Sequence, residues 1–272
     1  MKDKIVVITG AGSGIGRALA EEFGILGAKL VLNDYAKEDL YKTVSILENK
    51  GIQVSLVKDF DVSDRTSMDS FADQVKKEIG LADIVINNAG ISGVDLPGYL
   101  IKEEDYRRVM EVNFFGVLHG CRAFLPQMVE KNSGAMVNIS SVFGLVGMPN
   151  NSDYCASKFA VRGFTESLAV EFYDSPITIH CVHPGGINTR IGRNNPNQEL
   201  VKKLLRTNPN DMAKSIISGI QKKKAKIVYG SDSSRLWFAS NFIPQNWANK
   251  LIWKEAKRIL DPNHYKTFLK SL

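Results

Sequence analysis

Tyr154 and Lys158 stand one helical turn apart, as Tyr-x-x-x-Lys, and Ser141 precedes the tyrosine by thirteen residues. On a helix, positions i and i+4 share a face, so a phenol and an ammonium at this spacing point at the same spot. A phenol ordinarily titrates near ~10. A neighbouring ammonium favours the phenolate and lowers that value, making a tyrosine usable as an acid or base near neutral pH. The same pattern is common on ordinary amphipathic helices, so its meaning depends on its surroundings.

A second constellation lies at the start of the chain. Thr9-Gly10-Ala11-Gly12-Ser13-Gly14-Ile15-Gly16 follows the apolar run Ile5-Val6-Val7-Ile8 and precedes an amphipathic segment. Glycines there permit a tight turn and let the backbone approach a ligand. The start of the following helix aims free N–H groups at an anion such as a pyrophosphate. The spacing is Gly-x-x-x-Gly-x-Gly rather than Gly-x-Gly-x-x-Gly, and the strand and helix flanking it are those a nucleotide site requires. Asp34, eighteen residues beyond Gly16, ends the second apolar run. A carboxylate there can accept hydrogen bonds from both ribose hydroxyls of an adenosine and would repel a 2′-phosphate, which favours NAD over NADP. Tyr35 and Lys37 are close enough to leave NADP open, and a turn or capping aspartate is the structural alternative for Asp34.

The elements that must position these residues follow from the hydrophobic pattern. Short Val/Ile/Leu-rich runs occur at 4–9, 29–32, 53–57, 84–86, 135–139 and 177–182, with a last short one at 226–229. Between them lie amphipathic segments at 14–27, 37–50, 65–79, 103–131, 153–173 and 211–224. Continuous apolar strands alternating with helices mean a parallel sheet covered on both faces. The right-handed crossover then makes it an α/β doubly wound sheet of about seven strands, in a single domain spanning 1–272. Residues 187–210, rich in asparagine, read as a long loop and a candidate lid over the substrate. From about 232 to 272 the chain reads as a helical extension interrupted by Pro244.

Composition excludes several function classes. With 44% hydrophobic and 24% charged residues the chain is an ordinary globular sequence. Cys121, Cys155 and Cys181 are odd in number and scattered, which fits a reducing compartment. They share no zinc-ligand spacing with the four histidines, so no metal is expected. The first apolar run is too short for a signal or membrane segment, and a cytoplasmic protein is the expectation. The Lys222-Lys223-Lys224 run lacks an aromatic stacking platform and does not suggest nucleic acid.

Taken together, the chain resembles the short-chain dehydrogenase/reductase family in its standard single-domain form, continuously over about residues 4–190. The motifs run in order: Thr9-Gly10-x-x-x-Gly14-x-Gly16, Asp61-Val62, Asn87-Asn88-Ala89-Gly90, Asn113, Ser141, Tyr154-x-x-x-Lys158, and Pro184-Gly185 with Thr189. The resemblance implies a Rossmann fold and an NAD-dependent oxidoreductase interconverting a secondary alcohol and a ketone. It assigns Tyr154 as the acid/base, with Ser141 on the reacting oxygen and Lys158 lowering the Tyr154 pKa and bonding the nicotinamide ribose. Asn113 would hold, through a water, a proton relay ending at Lys158. Gly10, Ser13, Gly14, Ile15 and Gly16 would cradle the pyrophosphate. Asp61 and Val62 would contact the adenine, and Asn88, Ala89 and Gly90 the adenine-ribose side of the sheet. Pro184, Gly185, Ile187 and Thr189 would place the nicotinamide. The family also implies a homodimer or homotetramer, with segments 103–131 and 153–173 pairing across two-fold axes.

The substrate side is read from the residues themselves. Phe143, Leu145, Val146 and Met148 suggest an apolar pocket wall, so an apolar alcohol or ketone is expected. Arg190 and Arg193 are the only cations suited to a substrate carboxylate, and Ile191 belongs to the lid. Cys155, His183 and Asn87 read as packed structural residues, and the spacing selects Ser141 over Ser140. Residues 1–200 carry 20 Lys/Arg against 25 Asp/Glu, whereas 201–272 carry 15 against 4. In that basic region Trp237, Trp247 and Trp253 accompany Ala248, Leu251, Ile252, Ala256, Ile259 and Leu260 at helical spacing. Such a helix can lie on an anionic membrane. The simpler expectation is that it packs on its own fold or on a partner subunit. An NADP-dependent ketoreductase of an acyl thioester, and a non-catalytic nucleotide-binding or membrane-associated scaffold, are the alternative functions.

Overall fold

The structure is a computed structural model that describes residues 1–189, 205–258 and 260–265. The expectations for Arg190, Ile191, Arg193, Ile259 and most of the lid fall outside these residues. Seven parallel strands form one sheet: β1 (Ile5–Thr9), β2 (Lys29–Asp34), β3 (Val54–Asp59), β4 (Ile84–Asn87), β5 (Gly134–Ile139), β6 (Ile177–Pro184) and β7 (Lys226–Tyr229). Their spatial order is β3-β2-β1-β4-β5-β6-β7. The chain winds outward from β1 in one direction and then returns to β4 beside it, with Ile8 of β1 in register with Ile86 of β4. This reversal opens a crevice beyond the carboxyl ends of the two strands, where open α/β sheets bind ligands.

Alternation along each strand feeds two separate cores. Val6, Ile8, Leu30 and Leu32 face one layer, formed by α1 (Gly14–Ile25), α2 (Lys37–Asn49) and α7 (Pro209–Gln221). Ile5, Val7, Val31, Val85 and Met136 face the other, formed by α3 (Arg65–Glu78), α5 (Gly116–Lys131) and α6 (Ser152–Glu171). Because both faces are covered, the central strands β1 and β4 are apolar at nearly every position and buried throughout, whereas the edge strand β3 is only partly buried.

The segment expected as one helix over 103–131 is divided. α4 (Glu103–Met110) passes through a π turn, Glu111–Phe115, into α5, and the widened turn holds Asn113. π turns are rare and concentrate at functional sites. The C-terminal extension is also shorter in helix than expected. It forms α8 (Ser233–Phe242) and α9 (Gln245–Ala256), with Pro244 as the cap of α9, then a 3-10 turn at Pro262–His264. Pro262 lacks an N–H and disfavours helix at Asp261, which stops the helical pattern before it reaches Leu260.

Phe124 of α5 is fully buried and meets Phe71 of α3 edge-on at 6.1 Å between ring centroids. Phe124→Ala is expected to cost about 3–5 kcal/mol, read as a lower urea midpoint with an unchanged slope.

Candidate functional site

The glycine turn sits at the crevice. Gly10 and Gly14 have positive φ (66° and 52°), and a Cβ on Gly14 would come within 3.0 Å of the Thr189 side chain. Gly16 packs against the Gly10 carbonyl, where any side chain would collide. Ser13 caps α1 without a side-chain hydrogen bond, and the first turn, which includes Ile15, has no acidic residue. The N–H groups there could receive an anion without competition from an acidic residue of that turn. Thr9 Oγ1 accepts from the N–H groups of Asn88 and Ala89, and Asn88 Nδ2 donates to the Thr9 and Gly10 carbonyls. These bonds lock the turn to the end of β4.

Asp34 closes the far side of this turn. Its carboxylate accepts from Gly12 N and Ala36 N, both at 2.8 Å, and a carboxylate has lone pairs left for a diol. Lys37 is turned towards Asp59, at 3.7 Å, and Tyr35 points to solvent. Asp61 is drawn into its own loop: it accepts from Ser63 N and Oγ and from Arg108 at 3.0 Å. Burial raises its pKa, but these hydrogen bonds outweigh that and hold the carboxyl below the usual range. Val62 is buried against Gly116 at the start of α5.

On the opposite side, Pro184 ends β6. Gly185 N donates to the Tyr229 carbonyl, and Gly186 pairs with Ser231. Ile187 is buried and pairs with Thr207, so Thr189 is brought up to Gly14. Residues expected at the two ends of a dinucleotide therefore converge on one crevice. The glycine cradle, the open start of α1 and the Asp34 carboxylate suit such a group.

The residues expected to react gather beyond β5. Ser141 starts a 3-10 turn, Val142–Gly144; its Oγ accepts from Phe143 N at 3.1 Å, and its side chain stands close enough to the Tyr154 phenol to favour the ionised form. His183 is buried and donates through Nδ1 to the Ser141 carbonyl at 2.9 Å; burial pushes its pKa down to about 4, so it is neutral. Ser140 instead donates to the Lys158 carbonyl at 2.8 Å, which makes it a brace for α6. Lys158 is 3% exposed. Its Nζ donates to the Ile139 carbonyl at 3.0 Å and lies 5.6 Å from the centroid of the Tyr154 ring. A Cβ on Gly90 would come within 3.4 Å of that nitrogen.

The pKa values differ from the simple expectation that Lys158 lowers Tyr154. Burial pushes the Tyr154 phenol up to about 12, only partly offset by Ser141, although part of the ring faces the cleft. Burial likewise pushes Lys158 down to about 8. The ammonium lies 5.6 Å from the ring centroid, and its hydrogen bond goes to the Ile139 carbonyl. In the protein alone Tyr154 is a neutral phenol, poised as a proton donor.

Asn113 is fully buried in the π turn. Oδ1 accepts from Ile91 N at 2.8 Å, and Nδ2 donates to the Ile91 carbonyl and Ser157 Oγ. Ser157 in turn donates to the Tyr154 carbonyl. Asn113 therefore fastens the segment after β4 to the helix that carries Tyr154 and Lys158. Three residues of the site escaped the sequence reading. Asp153 is fully buried and accepts from Val94 N and Tyr154 N. Asn150, in the left-handed region at φ 59°, accepts from the Tyr265 hydroxyl at 2.5 Å. Asp153 preceding a helical tyrosine was a visible capping signal; the Tyr265 contact had none. On the side expected to receive substrate Phe143 meets the Tyr154 ring edge-on, centroids 6.3 Å apart; Leu145 and Val146 are buried, while Phe143 and Met148 are half-exposed. Asn87 and Cys155 are packed as expected.

Lys158→Met isolates the cost of the buried ammonium. A lysine whose folded pKa is lowered binds fewer protons when folded than unfolded between about 8 and 10.5, so its contribution to stability improves as pH rises through that window. The variant should be more stable than the parent by roughly 1–3 kcal/mol at pH 7. This advantage should shrink at alkaline pH, as measured by thermal unfolding across the range.

Comparison with known proteins gives the family. The short chain dehydrogenase family model matches residues 4–200. The chain is 41% identical over 244 residues to the putative oxidoreductase SadH of Mycobacterium tuberculosis, covering 85% of this chain and 87% of that protein. It is 45% identical over 172 residues to mouse epidermal retinol dehydrogenase 2, covering 62% and 54%. A short chain dehydrogenase/reductase from Burkholderia phymatum, solved in complex with NAD, superposes with a TM-score of 0.79 at 28% identity, over 86% of this chain and 92% of that one. The chain belongs to the short-chain dehydrogenase/reductase family of oxidoreductases.

Proposed function

We propose that the protein is an NAD-dependent dehydrogenase/reductase that interconverts an apolar secondary alcohol and its ketone. The observation that carries this reading is the buried Lys158 with its Nζ 5.6 Å from the centroid of the Tyr154 ring, and Ser141 close enough to the same phenol to favour its ionised form. A bound nicotinamide supplies the redox chemistry. The protein's part is orientation and the proton. Ser141 Oγ holds the substrate oxygen, and Tyr154 Oη gives it a proton in reduction or takes one in oxidation. The Lys158 ammonium, charged below about pH 8, favours electron density on the phenol when the proton leaves. Asn113 keeps the segment 88–91 against α6, and Phe143 and Met148 supply the apolar contact.

Asp34 supports NAD over NADP, because a 2′-phosphate at its position would meet a carboxylate while Lys37 is engaged with Asp59. Among homologous solved structures, the Burkholderia phymatum protein with NAD bound supports the same choice of cofactor class. Exposed Val129 on α5 and Phe159 and Val170 on α6 support a dimer or tetramer through those helices.

The test is an absorbance assay of reduced nicotinamide with apolar secondary alcohols and ketones, run with NAD and NADP in parallel. Turnover with NAD is expected. Tyr154→Phe should lose roughly 10²–10⁴-fold in kcat while dinucleotide affinity, measured by calorimetry, is kept. Near-normal turnover of that variant would end the catalytic assignment, and activity with NADP alone would overturn the Asp34 argument. Gly14→Val should abolish dinucleotide binding, since its side chain would occupy the cradle beside Thr189.

A further inference from the structure

The outer surface of α8 and α9 is unlike the rest of the molecule. Trp237, Phe238, Phe242, Trp247 and Leu251 are all exposed, Trp247 to 71%. Phe242 lies against both Trp237 and Phe238, with ring centroids 6.1 and 5.0 Å apart, so three rings form one patch where α8 turns into α9. On α9, Ala248 and Ala256 mark the packed face. A separate face carries Trp247, Leu251 and Lys254, continued by Arg258 just past the helix end, all exposed and spaced by three or four residues. Between residues 233 and 258 five Lys/Arg stand against one acidic residue, Glu255, which is paired with Arg235 at 2.7 Å. The segment therefore combines exposed aromatic rings with a cationic excess.

We propose that this face docks the protein on an anionic lipid bilayer, with α8 and α9 lying in the plane of the interface. The rings of Trp237, Phe238, Phe242 and Trp247 and the Leu251 side chain enter the headgroup region, where such side chains are most favourable. Lys250, Lys254, Lys257 and Arg258 meet the lipid charge. Docking is by surface contact: among the described residues no helix is long and apolar enough to cross a membrane. A second copy of the chain is a poorer occupant. A two-fold contact would bring the same face together, setting Lys254 and Arg258 near their own counterparts. The inner side of α8 packs on the Val142–Gly144 turn next to Ser141. If the proposed apolar substrate is correct, docking also brings the substrate side of the site to the phase in which such molecules dissolve.

All three tryptophans, Trp237, Trp247 and Trp253, lie in this segment, so intrinsic fluorescence of the full chain reports on it alone. The chain is mixed with phosphatidylcholine vesicles, or with vesicles in which about one lipid in three is phosphatidylserine. Co-sedimentation and a blue shift in emission are expected with the anionic vesicles, weakening as salt is raised. Lys254→Gln with Arg258→Gln should bind roughly 30-fold more weakly. Phe242→Ser with Trp247→Ser should lose binding while keeping the parent's thermal transition. Nicotinamide-linked turnover without vesicles should be unchanged in both, which separates failure of docking from failure of the oxidoreductase reading. Equal binding to neutral vesicles would overturn the proposal. So would no binding by the intact chain, whether it stays monomeric or self-associates in a way the same substitutions abolish in sedimentation velocity.

Discussion

Lys158 keeps an ammonium almost out of water, and much of the site is arranged around it. Burial of a lone cation is unfavourable by several kcal/mol unless polar groups replace its hydration. Lys158 finds one such group in the Ile139 carbonyl at the end of β5, and a second interaction in the face of the Tyr154 ring. That geometry requires α6 to be held close to the sheet. Ser140 holds it at the Lys158 carbonyl, and Asn113 holds it through Ser157. Gly90 is small enough to let the side chain pass. The lowered pKa of Lys158 and the raised pKa of Tyr154 share one cause, exclusion of water. Burying both groups costs stability, a pattern common where titratable side chains are set for function.

The fold was legible because a parallel sheet buried on both faces leaves an unambiguous signature. Ile5-Val6-Val7-Ile8 cannot be an amphipathic strand, and the helices between such runs fix the crossover. Gly10, Gly14 and Gly16 were legible for the same reason: backbone geometry that only glycine tolerates is written directly in the sequence. The π turn was not. Glu103–Lys131 has helical periodicity throughout, and one residue of added circumference changes the pattern too little to stand out. Nor was the bond between Tyr265 and Asn150, which joins residues 115 apart in the chain, beyond the reach of any local spacing rule. The direction of the Tyr154 shift was misjudged because spacing places an ammonium on the same face but says nothing about its height or about desolvation.

The C-terminal extension serves two masters. Its inward side completes the substrate end: α8 covers the turn beginning at Ser141, and Tyr265 reaches Asn150 in the loop that leads to Tyr154. Trp253 packs edge-on against Tyr265, with centroids 5.4 Å apart, tying α9 to that contact. Its outward side carries the aromatic and basic residues.

The π turn has a consequence for how such a site can change. Each residue of an α-helix advances about 100° around the axis, so the extra residue accommodated at Glu111–Phe115 acts as a phase shifter between α4 and α5. Upstream of it α4 faces α6, and downstream α5 faces α3 and the sheet. Substitution can alter what the helix touches, but only insertion or deletion can alter which way it looks. Asn113 sits at the one place where the two phases meet, so its aim is set by the winding of the backbone rather than by its neighbours.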